Sequence, residues 1–136
     1  MSESSLKSTL FEKIKKLWVP TRIESMCSPG FPDVFYTNSV HKRMGLLELK
    51  FCPRWPARSQ TPVDLRHFSI QQRLFFARNN PAGCRGFFLL QVGKDYLLFD
   101  GHEVGKAELP TKDQLFSIAI KTWKNKMNPA ELIDIL

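Results

Sequence analysis

Apolar side chains recur at helical spacing near the start of the chain. Every third or fourth position is apolar and lysines lie between them, as seen at Leu6, Leu10, Ile14 and Leu17. This spacing puts the apolar residues on one face of an α-helix. Pro20 follows, and proline ends a helix because it lacks the backbone N–H. We therefore predict an amphipathic N-terminal helix over residues 1–20.

The middle of the chain has the pattern of β-strands. Stretches rich in strand-forming residues are bounded by Gly, Pro and polar residues at 22–26, 32–37, 45–51, 87–92 and 96–99. Gly93-Lys94-Asp95 separates the last two and predicts a hairpin. Between the third and fourth strands, a proline-rich loop over 52–62 precedes a helix. That helix is predicted to begin between Asp64 and Ser69 and to end near Asn80.

The C-terminal region is predicted to be helical. One helix is expected over 111–126, and Asn128 caps a shorter one that has Pro129 in its first turn. The order of helix, strands, helix, strands and helix predicts an α/β fold with a central mixed sheet flanked by helices. A length of 136 residues suits a single domain. We divide it into the helix over 1–20, a core over 22–101 and C-terminal helices over 111–136.

The net charge of +7 is concentrated in one segment. Between residues 42 and 85 there are nine Lys and Arg but only two acids, a difference equal to the whole net charge. Lys and Arg neutralise phosphates, and this supplies most of the affinity of proteins for nucleic acid in general. The segment therefore predicts a polyanionic partner, although a basic surface can also serve solubility alone.

Cysteine usage and hydropathy indicate a protein of the cytoplasm. The three cysteines, Cys27, Cys52 and Cys84, are far apart and odd in number, which favours buried free thiols over a disulfide framework or a zinc site. The N-terminus has no signal-peptide pattern, and no apolar run approaches the roughly 20 residues that span a bilayer. We expect no membrane association.

Charged residues interrupt two strands that otherwise look like core. Glu48 and Lys50 are two apart, so strand alternation puts both on one face, while Leu47, Leu49 and Phe51 take the other. Charges at such positions are costly unless they are paired or bind metal. Asp33 interrupts the preceding strand, and if the two strands are neighbours the carboxylates converge. Two such carboxylates suit Mg²⁺ or Mn²⁺, although a surface ion pair with Lys50 is the alternative.

These residues resemble the PD-(D/E)XK nucleases. Pro32-Asp33 is followed after fifteen residues by Glu48-Leu49-Lys50, and Arg22-Ile23-Glu24 precedes Gly30-Phe31-Pro32-Asp33-Val34. The run over 22–101 is similar to small phage-encoded nucleases of the VRR-NUC and Holliday-junction-resolvase-like branch. The resemblance implies a restriction-endonuclease-like fold. It also implies metal bound by Asp33, Glu48 and the Leu49 backbone carbonyl, with Lys50 assisting the attacking water.

A further acidic ligand is common in this superfamily, and three residues are candidates for it here. Glu24 lies in the matching Arg-Ile-Glu run and is preferred, although it could equally be an ordinary carboxylate at a strand edge. Glu12 lies on the first helix, nearly opposite the apolar stripe, so it should face solvent. Glu3 is on the apolar side but near the helix end.

Gln72 has two interpretations. Relatives place a Gln at the start of the helix that follows the E-x-K strand, where it points at the active site. Ser69 and Gln72 also have the spacing of a capping box, which is a purely structural role. The sequence favours neither.

Four arginines are predicted to contact nucleic acid. The segment after Lys50 contains Arg54, Arg58, Arg66 and Arg73, which we expect to bind the DNA backbone. Trp55 lies among them and could insert between bases, or it could fold onto the core.

The sequence therefore predicts a metal-dependent DNA endonuclease that hydrolyses phosphodiester bonds. The resemblance implies branched or junction DNA as substrate and the cytoplasm of the host cell if the protein is phage-encoded. A homodimer would suit a two-fold substrate. Two alternatives are a non-catalytic basic DNA-binding module on the same fold and a structural or virion-associated interaction protein. The acids argue against the first, because they repel phosphate when no metal is bound.

Overall fold

Six strands form one mixed sheet in the computed structural model, which describes residues 2–14, 19–22, 30–65 and 67–136. The strands lie in sequence order, and all neighbours are antiparallel except the central third and fourth. In chain order the elements are α1 (Glu3–Ile14), β1 (Val19–Arg22), β2 (Val34–Asn38), β3 (Arg43–Cys52), α2 (Ile70–Asn79), β4 (Gly86–Val92), β5 (Asp95–Asp100), α3 (Gly101–Gly105), α4 (Lys112–Ile118), β6 (Lys121–Trp123) and α5 (Pro129–Ile135).

Each face of the sheet has its own hydrophobic core. One core joins α1 and α5 to the sheet and contains Leu47 and Leu49 of β3. The other joins α2, α3 and α4 to the opposite face and contains Phe88 and Leu90 of β4. Every residue of β4 is buried, as expected for a central strand covered on both faces. The predicted sheet flanked by helices is confirmed.

The predicted end of the first helix is wrong. Residues 19 and 20 belong to β1, which pairs with β2 and forms an edge of the sheet. Pro20 is compatible with this position because an edge strand has one side on which no N–H donor is needed. The strand predicted over 22–26 thus occurs earlier in the chain, and residues 23–26 lie outside the described part.

The helix predicted over 111–126 is also wrong in its second half. Helix α4 ends at Ile118, and the chain then adds β6 to the open edge of β5. Ile120 begins this pairing, because its N–H donates to the Leu98 carbonyl at 2.8 Å. Thr122 and Trp123 are residue types that favour strands. Residues 121–123 form a strand because the edge of β5 is open to pairing. The helical spacing of the local sequence did not indicate this pairing.

Other predicted elements are confirmed. β4 and β5 form the hairpin around Gly93, which has a φ of 59° that suits glycine. Asn128 caps α5, and its side chain accepts a hydrogen bond from the Ala130 N–H at 3.0 Å. Helix α2 begins after Ser69, at the late end of the predicted interval. The short helix α3, capped by Asp100, was not predicted.

Helix α5 ends among side-chain donors from the sheet. The carbonyls of residues 133, 134, 135 and 136 accept hydrogen bonds from Asn38, Arg43, Arg85 and Tyr36, at 2.7, 2.8, 2.7 and 3.2 Å respectively. The last carbonyls of a helix have no partner within the helix, so these donors replace water there. Two arginines of the basic segment are therefore engaged in holding α5 on the sheet.

Candidate active site

The pairing of β2 with β3 brings the two predicted catalytic carboxylates together. Val34 pairs with Leu47 in the antiparallel register, so one further step puts Asp33 opposite Glu48. Asp33 was predicted to lie within the strand, but it lies in a bend just before β2. Its backbone N–H donates to Glu48 Oε2 at 3.1 Å. The two strands are neighbours, which is the condition under which the carboxylates were expected to converge.

The turn that carries Asp33 is fixed against helix α2. Gly30 has a φ of 90°, and a Cβ at this position would overlap the backbone of Gln71. Only glycine combines this conformation with so close an approach. Next to it, the ring of Phe31 packs edge-on against Phe75 with centroids 5.0 Å apart. These contacts hold the start of β2 beside the first turn of α2.

Glu48 is at the centre of the site and is fully buried. Its Oε1 accepts a hydrogen bond from Gln72 Nε2 at 2.8 Å and lies 2.8 Å from Lys50 Nζ. Its Oε2 accepts the Asp33 N–H. A buried carboxylate is tolerated only when its oxygens have partners of this kind.

Burial and the nearby Asp33 carboxylate raise the pKa of Glu48 to about 7, while the Lys50 ammonium acts in the opposite direction. The two carboxylates repel each other in a setting with little water. A cation between them would remove this repulsion. The electrostatics of the pair are those of a metal-binding or proton-sharing site.

Lys50 lies on the same face of β3 as Glu48, as strand alternation predicted. Its side chain is 10% exposed, so the ion pair with Glu48 is nearly excluded from solvent. Leu47 and Leu49 contribute to the core on the opposite face, and Phe51 packs against that core. A loose surface ion pair, the alternative considered from the sequence, does not describe a pair buried to this degree.

Gln72 combines both roles suggested by its position. Its Oε1 accepts the Ser69 N–H at 3.0 Å, and the Gln72 N–H donates to Ser69 Oγ at 3.1 Å, which completes a capping box. Its Nε2 remains available for Glu48. The cap fixes the amide, and the fixed amide orients the carboxylate.

Lys7 of α1 enters the site and was missed in the sequence. Its Nζ lies 3.2 Å from Asp33 Oδ1, with both side chains partly exposed. Lys7 follows Leu6, which is buried, so it lies at the border of the apolar stripe. In the sequence, that border position was the one indication that Lys7 could reach the sheet. Each carboxylate of the pair thus has an ammonium group beside it.

The candidates for a third acidic ligand have different outcomes. Glu24 lies outside the described residues, and the side chain of Glu3 is not described either. Glu12 is exposed, as predicted. Within the described ranges, no group of three or more His, Cys, Asp or Glu side chains could hold a metal ion. Asp33 and Glu48 are therefore the candidate acidic ligands among the described residues, and the role of Glu24 stays a prediction.

Leu49 contributes its backbone to the same place. Its N–H points at Asp33 Oδ2, at 3.4 Å. In an extended strand the N–H and C=O of one residue point to the same side. Strand β2 pairs with β3 only as far as Leu47, so the Leu49 carbonyl faces the side where the Asp33 carboxylate lies. This arrangement is compatible with the predicted ligand role of the carbonyl.

The four predicted DNA-binding arginines differ in their surroundings. Arg54 and Arg58 are exposed in the loop after β3, and Arg66 lies outside the described residues. Arg73 lies over the Phe68 ring, 4.6 Å from its centroid, and its guanidinium donates to three carbonyls at 3.0 to 3.2 Å. These contacts with the carbonyls of Phe68, Gly105 and Ala107 give Arg73 a structural role, so we leave it out of the proposed DNA contacts.

Trp55 is folded onto the core, which was one of its two predicted states. Its Nε1 donates to Asp95 Oδ2 at 2.9 Å, and its ring packs against Phe116 with centroids 5.7 Å apart. The loop that carries Arg54 is therefore anchored. A cleft of about 640 Å³ lies beside it, between residues 51–57 on one side and Pro62, Val63, Asp64 and His67 on the other.

Comparison with known proteins supports the fold. No family model matches the sequence, and no curated protein matches it. The structure is similar to Hjc from Archaeoglobus fulgidus, a Holliday junction resolvase from an archaeal hyperthermophile, with a TM-score of 0.57. The similarity covers 87% of this chain and 94% of that one at 17% sequence identity. The chain shares the nuclease-like fold of this resolvase. The predicted fold class is confirmed.

In the part of the chain that the structure describes, no helix is both long enough and apolar enough to cross a bilayer.

Proposed function

We propose that this protein is a metal-dependent endonuclease that hydrolyses phosphodiester bonds in DNA, with branched DNA as its substrate. The observation that carries the proposal is the cluster of Asp33, Glu48 and Lys50, in which buried Glu48 and Lys50 of β3 meet partly exposed Asp33 just before β2. Its position on the fold of a Holliday junction resolvase supports the choice of branched DNA. A homodimer would match the two-fold symmetry of a four-way junction.

The residues of the site fit a divalent cation. Asp33 and Glu48 supply hard oxygen ligands. Burial and then repulsion by Asp33 raise the pKa of Glu48, and a cation would relieve the repulsion. The Leu49 carbonyl is a third candidate ligand. When bound, Mg²⁺ or Mn²⁺ would polarise the phosphate and acidify an attacking water.

The remaining groups have distinct tasks in the proposed reaction. Lys50 holds an ammonium group where it can orient the attacking water and stabilise negative charge that develops on the phosphate. Gln72 donates from its Nε2 to Glu48 Oε1 and so fixes the orientation of this carboxylate. Burial on β3 keeps water from competing for these contacts.

Cleavage of labelled DNA tests the proposal. The substrates are linear, nicked, flapped and four-way-junction DNA, each with Mg²⁺, with Mn²⁺ or with chelator. We expect metal-dependent cleavage that is fastest on branched substrates. Asp33→Asn should reduce the rate by at least roughly 100-fold, because it removes a metal ligand without changing side-chain size. Asp113→Asn, an exposed acid on α4, is the matched control and should be fully active.

The outcomes separate the candidate functions. Cleavage that persists in chelator, or in Asp33→Asn, contradicts the proposed mechanism. DNA binding without cleavage in either metal favours the non-catalytic module. The absence of both binding and cleavage leaves the interaction protein.

A further inference from the structure

Four cations lie on the segments that meet near Trp55 at one end of the sheet. Arg54, Lys94, Lys112 and Lys124 are all exposed, and we call them the Trp55 surface. Lys112 Nζ lies 5.1 Å from the Trp55 ring, and Lys112 and Lys124 each lie 5.9 Å from the Phe116 ring. Three of the four lie outside the segment that contains the net charge of the sequence. Only the folded chain brings them together.

Asp95 holds the loops of this surface in place. Its Oδ2 accepts from Trp55 Nε1 at 2.9 Å, and its Oδ1 accepts from the Asn125 N–H at 3.4 Å. The Gly93 N–H also donates to the Cys52 carbonyl at 3.0 Å. The loop after β3, the β4–β5 turn and the end of β6 are thus joined. Cations on joined loops lose less conformational freedom when they bind a ligand.

The charge of the surface is positive after its acids are considered. Asp95 uses both oxygens within the protein, and two exposed acids lie near the cations: Asp113, next to Lys112 in sequence, and Asp64, which lines the cleft beside Arg54. Four cations therefore face three acids, and Asp95 is already engaged. A ligand with several regularly spaced negative charges fits this arrangement.

The Trp55 surface lies at the same end of the sheet as the candidate active site. β2 begins after Asp33 at this end, and β3 and β4 end there. β5 begins and β6 ends there as well. Lys50 is two residues, roughly 7 Å, from the end of β3 at Cys52. One nucleic-acid strand can therefore contact both regions.

We propose that the Trp55 surface binds the phosphate backbone of DNA that flanks the cleavage site. Each DNA strand carries one charge per roughly 3.4 Å of helix axis, so the cations would meet phosphates a few nucleotides from the one in the active site. The Trp55 N–H is engaged and its ring packs against Phe116, so the indole serves as a support and the contacts are to the backbone. The choice of DNA as partner and the position beside a cleavage site rest on the proposed function.

The test is the salt dependence of DNA binding by the full chain in chelator, where cleavage plays no part. The triple variant Lys94→Gln, Lys112→Gln and Lys124→Gln is compared with Lys42→Gln, Arg78→Gln and Lys106→Gln, which removes three exposed cations elsewhere. Each lost phosphate contact reduces the slope of log affinity against log salt by about 0.9. We expect the first variant to lose about 2.7 from the slope and the second to keep it.

Three results would overturn the inference: equal losses in both variants, a normal slope in the first, or no salt-dependent binding by the wild type. Thermal unfolding of both variants checks that they are folded. Cleavage is measured separately. Cleavage with a normal slope in the first variant retains the nuclease and rejects the surface, while a reduced slope without cleavage retains the surface and rejects the nuclease.

Discussion

Two groups of charged side chains lie at one end of this sheet, and they differ in burial and in how each charge is satisfied. The cluster at Glu48 is nearly closed to solvent, and every carboxylate oxygen described above has a specific donor. The Trp55 surface is open, and its cations contact aromatic rings or solvent. Charges of the first kind act through fixed geometry and resist substitution. Charges of the second kind each add a similar contribution to ligand binding, so single substitutions remove them without disturbing the fold.

Lys50→Met should separate the two regions most sharply. Methionine has a similar length and fits a nearly buried position, so the fold should survive. Loss of the ammonium group should lower the cleavage rate by about 100-fold or more, because charge stabilisation in an active site is worth roughly that much. DNA affinity and its salt dependence should change little. Single-turnover cleavage and fluorescence anisotropy measure the two effects.

Lys106→Met, at an exposed position at the end of α3, is the control and should cleave normally. A normal rate in Lys50→Met would remove this lysine from the mechanism. Parallel losses of cleavage and affinity would mean that the two regions do not act separately.

Arg73 and Arg54 allow a structural charge and an exposed DNA-binding charge to be compared in the same residue type. Arg73→Met removes the donor for three carbonyls, so we expect a loss of about 2 kcal/mol in the free energy of unfolding. Its salt slope for DNA binding should stay normal. Arg54→Gln should keep its stability and lose about 0.9 from the slope. Urea unfolding and DNA titration of both variants give the four values, and an exchange of the two patterns would contradict the assignment.

The raised pKa of Glu48 predicts that stability without metal depends on pH. The folded protein binds the Glu48 proton more tightly than the unfolded chain does, because the pKa is about 7 in the fold against an ordinary value of 4.5. This contribution is present below pH 4.5 and is lost as the pH rises through 7. In chelator, the melting temperature should therefore fall by roughly 5 °C between pH 5.5 and pH 8.

Glu48→Gln should abolish most of that fall, because the amide does not titrate. Mg²⁺ added at pH 8 should raise the melting temperature of the wild type and not that of the variant. A wild type and a variant with equal pH dependence would show that another group is responsible.

The contrast between the two regions also explains what the sequence could predict. Asp33, Glu48 and Lys50 were recognisable because charged residues interrupt stretches that are otherwise apolar. Strand alternation also fixes the relative directions of Glu48 and Lys50, whereas Asp33 lies in the bend before β2. Gln72 was recognisable as a candidate, but its contact with Glu48 depends on the packing of α2 against β3. The fold class followed from the order of elements.

The Trp55 surface could not be predicted in this way. Its cations come from four separate segments that meet only through the sheet register and the Asp95 contacts. The count of charges along the chain pointed instead to residues 42–85, where Arg43, Arg73 and Arg85 bind backbone carbonyls. Strand β6 was missed, and β1 was predicted too late in the chain, for a related reason. An edge strand forms because a neighbouring strand has an open edge, and the sequence of the segment itself does not indicate that this edge is there.

Lys7 lies between the two kinds of charge, and its removal should have the smallest effect. Its ammonium is partly exposed and lies beside Asp33, where it competes with a metal ion for the carboxylate. Partly exposed ion pairs contribute at most about 1 kcal/mol, so Lys7→Met should tighten Mg²⁺ or Mn²⁺ binding by roughly two- to fivefold. Calorimetric titration of the DNA-free protein measures this, with Lys42→Met as the control. Weaker metal binding in Lys7→Met would mean that the lysine holds Asp33 in place for the metal instead of competing with it.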